Sequence, residues 1–344
     1  MHVRKLWPLI LAATSELWNC SLLWQCYHRR VFHTSLFARQ RPPQMPELPE
    51  VETMRLGISQ FAGCRIQSVA FPRQSVRPIS VTPRPRTIIA KLVGRVIVAV
   101  HRYGKRIAIE IAGSECGDAT HWLVIEPRMT GLLLVADAPS PQHVRMQIQL
   151  SPLFSSVAKA STSPLSQLLF WDRRGLGTVR LLGEPGLLAA CGPERLGPDA
   201  LIVLGSDYSS RLHASIRAIK VALLDQRAVA GIGNIYAAEI LFLAGIDPRL
   251  PCCRLTGLMW ERLATVTREL LAEAVRLKGS TLGDATYRTP NNALGEFQLQ
   301  HRVYGRQGLP CQACLRPIQR IVQAQRSTFF CPQCQKRSGQ SRSQ

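Results

Sequence analysis

The chain has 344 residues, 46% of them hydrophobic, with 43 Lys and Arg against 22 Asp and Glu and a formal charge of +21 at pH 7. The length allows about two domains of ordinary size, and the apolar content fits a globular protein. The charge favours an acidic polymer, nucleic acid or an anionic membrane surface, without separating DNA from RNA or ribosome. Eleven cysteines, odd in number and mostly scattered, argue against an oxidised disulfide framework, and no stretch is a transmembrane candidate.

In chain order, residues 1–44 hold six Arg/Lys against one acid, Glu16, and their apolar run Leu6–Ala13 is broken by Pro8. This extension is expected to lie outside the mature fold, read as a start codon placed too far upstream, with a targeting leader as the alternative. Pro49–Gly63 then places Val51, Met54, Ile58 and Phe61 on one helical face, closed by Gly63. Strand signals follow at Arg65–Phe71, Gly94–Val100, Arg106–Ile111, His121–Glu126, Leu132–Val135 and Val144–Leu150. So many short strands in succession predict a β-sandwich over 45–185 rather than a parallel α/β sheet, with Ser/Pro-rich Ser151–Gln167 as a loop. The second half turns helical over 186–290. Helices are expected at Ser215–Gln226 and Asn234–Ala244, parted by the turn Gly231-Ile-Gly233, and at Thr256–Leu277 with Thr256 as N-cap and Gly279 as stop. Gly279–Glu296 reads as loop, a cysteine module occupies 296–336, and 337–344 is a polar tail.

The cysteine module is the strongest signal. Cys311-x2-Cys314, sixteen residues, then Cys331-x2-Cys334 is the spacing of a four-thiolate zinc site. All four positions filled by protein predict one structural Zn2+, with a β-hairpin between the pairs. From Cys311 onward there are six Arg/Lys and no acid, so the hairpin is basic and suits a nucleic-acid surface.

A second signal is Met45-Pro-Glu-Leu-Pro-Glu-Val-Glu-Thr53. Removal of Met45 would leave Pro46 as a secondary amine, able to form an iminium at a sugar carbon, with Glu47 beside it as a proton donor. A helix-initiating Pro-Glu pair is the plain alternative.

This opening run resembles the amino terminus of bacterial formamidopyrimidine-DNA glycosylases. Val229-Ala-Gly-Ile-Gly-Asn-Ile-Tyr-Ala-Ala-Glu239 is similar to the helix-two-turn-helix signature of that family, and Val303-Tyr-Gly-Arg306 and Gln325-Arg-Ser-Thr-Phe-Phe-Cys331 to its zinc-finger motif. Leu48, where the endonuclease VIII branch typically has glycine, points to the purine branch. The resemblance implies an α+β multidomain fold: an N-terminal β-sandwich with a flanking helix, a helix-two-turn-helix domain and a C-terminal zinc-finger hairpin. It implies that Pro46 attacks C1′, that Glu47 donates a proton, that Lys105 serves β-elimination, and that Arg326 grips phosphate and serves the second elimination. Asn234 would bind the phosphate flanking the lesion and Lys220 would add a contact, although the residues alone also allow a helix cap and an exposed helix face. Met129 would fill the gap left by a flipped base and Arg174 would meet the orphaned base. His143 would also touch DNA.

Departures from the family pattern are Glu126 and Arg128 for histidine and glycine before the wedge, Gly175 and Leu176 for a second arginine and the wedge phenylalanine, and Gly283 in Thr281-Leu-Gly-Asp284. They leave the chemistry intact and bear on lesion preference. The implied protein is a monomeric, cytoplasmic, nucleoid-associated bacterial glycosylase and abasic-site lyase. It would act on oxidised purines in damaged double-stranded DNA, without a membrane partner. The alternatives are an enzyme for oxidised pyrimidines and a catalytically silent zinc-containing nucleic-acid-binding protein.

Overall fold

The first described helix, α1 (Leu48–Ile58), follows from the spacing of its apolar residues, and a 3-10 turn, Ser59–Phe61, continues it. The structure, a computed structural model, describes residues 45–73, 76–113, 119–152, 166–283 and 285–336. The expectations for 1–44, for most of Ser151–Gln167, for Asp284 and for the tail therefore lie outside the described residues. Helix α1 serves two cores at once. Val51, Met54 and Ile58 are buried among the strands, whereas Leu48 is buried among the helices of the second half.

Among the described residues, nine strands form two sheets. Strands β1 (Cys64–Ala70), β7 (Val144–Pro152), β8 (Ser166–Asp172) and β6 (Gly131–Leu134) lie in that order in one. Strands β2 (Ser80–Thr82), β9 (Thr178–Leu182), β5 (His121–Glu126), β4 (Arg106–Ile111) and β3 (Ile97–Tyr103) make the other. Pairing is antiparallel apart from β2 with β9. Ile66, Ile148, Leu132 and Phe170 from the first sheet share one core with Ile107, Ile109, Leu123 and Val179 from the second, which is the expected sandwich. The outward residues Ala108 and Val124 are buried as well, under helix α3 (Glu184–Cys191), Leu196 and Ala230. Helices α2 (Pro85–Leu92), α3 and α4 (Gly205–Leu212) are too short to announce themselves by periodicity.

The helix expected over Ser215–Gln226 is a correction. Only Ile219–Leu223 (α5) is helical. The backbone before it pairs sideways with the segment preceding the long helix: Cys252 N–H donates to Arg217 O, Cys253 N–H to Ser215 O, and Ile219 N–H to Leu250 O. Tertiary hydrogen bonds there replace the helical ladder. Helix α6 (Asn234–Ala244) and helix α7 (Gly257–Arg276) form as expected, the latter with Thr256 Oγ1 accepting from Met259 N–H at 3.4 Å and the chain leaving through Gly279 at φ +76°. Strands β10 (Gln319–Gln323) and β11 (Arg326–Phe330) complete the cysteine module as a hairpin.

Two buried charges tie the parts together. Arg102 on β3 donates Nε to Glu52 of α1 at 2.7 Å and both terminal nitrogens to Asp199 at 2.7 and 3.0 Å. Glu239 of α6 accepts the backbone N–H groups of Arg302, Val303 and Tyr304 at 2.9, 3.0 and 2.7 Å, docking the approach to the cysteine module on that helix. Among the described residues no helix is long and apolar enough to cross a membrane.

Candidate active site

Pro46 and Glu47 enter α1 from beneath the turn that precedes α6. Leu48 N–H donates to Gly231 O at 3.0 Å, and Glu47 accepts Ile235 N–H at 3.0 Å and Tyr236 N–H at 3.3 Å. The carboxylate thus sits on free N–H groups of a helix start, where the helix dipole favours negative charge. Both glycines of the turn are needed for this approach. A Cβ on Gly233 would lie 2.2 Å from Glu47 Cδ, and one on Gly231, already at φ +110°, would lie 2.4 Å from Leu48 Cδ1. The immediate neighbour of these glycines is the Glu47–Leu48 segment.

Glu47 is almost wholly buried, and burial raises its pKa against the opposing effects of Lys105 and the backbone N–H groups. Glu50, one turn on, was not singled out by sequence, because a glutamate in the first turn of a helix reads as ordinary capping. Its side chain accepts Glu47 N–H at 2.9 Å, Tyr236 Oη–H at 2.6 Å and Ser280 N–H at 2.8 Å. Burial, then the neighbouring Glu47 charge, push it up to about 7. Two carboxyls with elevated pKa, held by neutral donors, form a store of protons.

Pro46, Lys105, Arg106, Glu126 and Arg128 line one pocket of about 140 Å3, closed by Met45, Leu196 and Gln226. Lys105 occupies the β3–β4 turn after Gly104, and burial, partly offset by Glu47 and aided by Arg326, lowers its pKa. The sequence-predicted pair and lysine are therefore brought together.

On the other side, Lys220, Asn234 and the hairpin converge. Lys220 Nζ donates to Asn234 Oδ1 at 2.5 Å and to Ser327 O at 3.4 Å, and Asn234 Nδ2 donates to the same carbonyl at 3.1 Å. Lys220 is fully buried, which rules out the exposed helix face, and burial, then Arg326, bring its pKa down to about 8. Arg326 starts β11 directly after Ala324 and Gln325, both with positive φ, the geometry of a two-residue type I′ hairpin. That turn leaves Arg326 exposed and within electrostatic reach of both Lys105 and Lys220.

Met129 and Arg174 meet on a separate loop pair, Arg174 Nη1 lying 3.1 Å from Met129 Sδ. Asp172, an ordinary acid in the sequence, builds that loop: it accepts Thr130 Oγ1–H and the N–H groups of Arg174 at 3.1 Å and Gly177 at 2.7 Å. His143 packs edge-on against Trp171, and burial, with Arg145 and Arg173, lowers its pKa. Glu126 and Arg128, read as two departures, are one feature, joined at 2.9 Å.

The sulfurs of Cys311, Cys314, Cys331 and Cys334 all lie within 4.8 Å of one another. Cys311 and Cys334 are 3.9 Å apart and Cys314 and Cys331 3.4 Å, bracketing the roughly 3.8 Å edge of a tetrahedron with metal–sulfur bonds of about 2.3 Å. The donor set fits a closed, four-coordinate thiolate site.

Residues 45–179 match the family model for the formamidopyrimidine-DNA glycosylase N-terminal domain, 196–286 that for its H2TH domain, and 308–337 that for the zinc finger found in FPG and IleRS. The chain is similar to the formamidopyrimidine-DNA glycosylase of Chloroflexus aggregans, 40% identical over 300 residues that cover 85% of this chain and 98% of that one. It is also similar to that of Burkholderia ambifaria, 36% identical over 85% of this chain and all of the relative. Among solved structures it resembles MutM (Fpg) of Thermus thermophilus, with TM-score 0.68 at 36% identity over 84% of this chain and 98% of that one. A second is Lactococcus lactis Fpg in complex with DNA containing an abasic site, with TM-score 0.70 at 30% identity over 84% and 99%. With three family models in order and identity sustained over whole relatives, the chain belongs to the formamidopyrimidine-DNA glycosylase family.

Proposed function

We propose that the chain is a bifunctional DNA glycosylase and abasic-site lyase of base excision repair, acting on oxidised purines such as 8-oxoguanine and formamidopyrimidines. The observation that carries this reading is the pocket in which Pro46 stands beside Lys105, with Glu47 buried on the N–H groups of α6 behind it. The Pro46 nitrogen attacks C1′ of the flipped nucleotide, the bond to the base breaks, and Glu47, which burial keeps inclined to hold a proton, delivers it as the ribose C–O bond opens. The resulting iminium acidifies the sugar. Lys105, whose pKa burial lowers, assists the β-elimination, and Arg326 the second elimination. Lys220, Asn234 and Arg326 hold the phosphate flanking the lesion, Met129 fills the vacated stack, Arg174 meets the orphaned base, and His143 contacts DNA near that loop. Cys311, Cys314, Cys331 and Cys334 hold one structural Zn2+ that fixes the hairpin carrying Arg326. The enzyme works as a monomer on damaged double-stranded DNA in the bacterial cytoplasm, at the nucleoid.

An amide nitrogen cannot form the iminium, so Pro46 must be the first residue of the acting chain. The 44 residues that precede Met45 favour one second reading, a binding protein whose chemistry is blocked while they remain. Protein expressed from Met45 is mixed with a duplex carrying 8-oxoguanine opposite cytosine and borohydride is added. The expected product is a covalent adduct on Pro46. No adduct with this duplex or with a plain abasic site would sink the lyase and leave a nucleic-acid-binding protein with a spent active site, whereas an adduct here but none from the chain that keeps residues 1–44 would favour the second reading. A preference for oxidised pyrimidines across single-lesion duplexes would move the substrate class.

A further inference from the structure

The pocket beside Pro46 carries more positive charge than its own carboxylate balances. Lys105, Arg106 and Arg128 line it against Glu126 alone. Glu126 is buried and fully engaged. One oxygen accepts Arg106 Nε–H at 2.6 Å and Arg180 Nη2–H at 3.1 Å, and the other meets Arg128 Nε at 2.9 Å. Three guanidiniums on one carboxylate leave the cluster cationic, and Arg128 is the outermost, its side chain 54% exposed. Its closest approach to the carboxylate is through Nε.

The backbone carries the same message. Arg128 has φ +55°, left-handed for a side chain that would rather avoid it. Pro127 precedes it, and the turn closes through Gly131 N–H donating to Pro127 O at 2.9 Å. A Cβ on Gly131 would stand 2.4 Å from that carbonyl, so the close turn requires glycine there. The strained turn therefore sets a half-fixed guanidinium between the Pro46 pocket and Met129, the two places where the proposed reaction handles the flipped nucleotide.

We propose that Arg128, pinned through Nε by Glu126, is a ligand for a DNA phosphate next to the lesion, its two terminal nitrogens forming the fork that grips the phosphate oxygens. The inference rests on the glycosylase reading and adds a contact made by this chain's Glu126–Arg128 pair. A guanidinium already oriented by a carboxylate loses little freedom on binding, and its free edge matches two phosphate oxygens. A base edge would leave the surrounding excess of cations unanswered, whereas a phosphate answers it.

The test uses the full chain and a duplex carrying a reduced abasic site, which binds without being cut. Affinity is measured by fluorescence anisotropy between roughly 50 and 200 mM salt, where each phosphate contact contributes about 0.9 to the slope of log affinity against log salt. Arg128→Gly, which suits the left-handed backbone, is expected to bind about tenfold more weakly at low salt. Its slope should be shallower by about one contact, so that its deficit shrinks about threefold across the range. Arg128→Lys, which keeps the charge, should retain the wild-type slope. Parallel lines for wild type and Arg128→Gly, or equal loss of slope in both variants, would overturn the proposal while leaving the glycosylase reading in place. A wild-type chain that does not prefer the abasic duplex over an undamaged one would overturn both.

Discussion

The two walls of the Pro46 site hold their buried charges by opposite means. On the sandwich wall, Glu126 is met by three arginines and Arg102 by two carboxylates, so each charge has a counter-charge in hydrogen-bond reach. On the helical wall, Glu47, Glu50 and Lys220 are buried against backbone N–H groups, a tyrosine hydroxyl, an asparagine amide and a carbonyl, with no salt-bridge partner among the described residues. Ion pairing fixes charge and geometry. Burial among neutral dipoles leaves the charge state easy to change, which suits groups that pass protons or wait for an anion. The fold puts its rigid electrostatics under the Met129 loop and the pocket floor, and its adjustable electrostatics around Pro46 and Asn234.

The comparison breaks most completely if the helical wall loses the metal site that holds its outer edge. Cys331→Ser, or treatment with a strong chelator, is expected to release the metal and abolish specific DNA binding. The metal-binding free energy in such modules is of the order of 10 kcal/mol, and metal content by atomic absorption together with anisotropy checks it. A variant that loses metal yet binds damaged duplex normally would show that the hairpin stands on its own packing.

Glu50→Gln addresses the proton store. The folded pKa of about 7 lies above the ordinary 4.5, so the carboxyl's contribution to stability is complete below about pH 4.5 and lost as pH rises through 7. The glutamine variant should therefore gain on wild type between pH 5 and 8, by about 3 kcal/mol at the upper end. Urea melts across that interval give the difference; a flat one would mean that Glu50 has an ion partner in solution.

Gly233→Ala sharpens the claim that the turn exists for Glu47. The added methyl must displace the carboxylate, and borohydride trapping on a chain beginning at Pro46 should slow about thirtyfold, roughly 2 kcal/mol of barrier, while the fold melts as before. Trapping at the wild-type rate would separate Glu47 from the chemistry. The smallest effect is expected from Lys220→Met. Its pKa is depressed to about 8, so the charged lysine costs stability below that pH, a cost that disappears as pH rises toward 10.5. The depression is worth about 3 kcal/mol at pH 7, of which the two hydrogen bonds lost with the ammonium offset about 2, so the variant should be more stable than wild type by about 1 kcal/mol at pH 7 and lose that margin by pH 10, while its DNA-binding salt slope falls by about 0.9.

The zinc cysteines, α1, α6, α7 and most strands were legible because each is written in short-range spacing: Cys-x2-Cys, a helical face, alternation along a strand. Pro46 and Glu47 stood out as a potential free amine beside an acid, while Lys105 and Asn234 were singled out only through the resemblance, since a lysine after glycine and an asparagine at a helix start are ordinary residues taken singly. Glu50, Asp172 and Glu239 escaped. Each is a plain acid in sequence, and its role lies in backbone N–H groups supplied by segments distant in the chain or by a tight loop. Ser215–Arg217 failed for the related reason that its hydrogen bonds went sideways to Cys252 and Cys253 instead of up a helix.

By itself, then, the sequence determined the order of modules, the four thiolates and the apolar face of α1, because periodicity and ligand spacing are local quantities. Tertiary structure alone decided that Gly233 clears a seat for Glu47, that Lys220 is buried against Asn234, and that Glu126 and Arg128 act as a pair. Those outcomes depend on which distant surfaces are pressed together and on how the buried polar atoms are then satisfied.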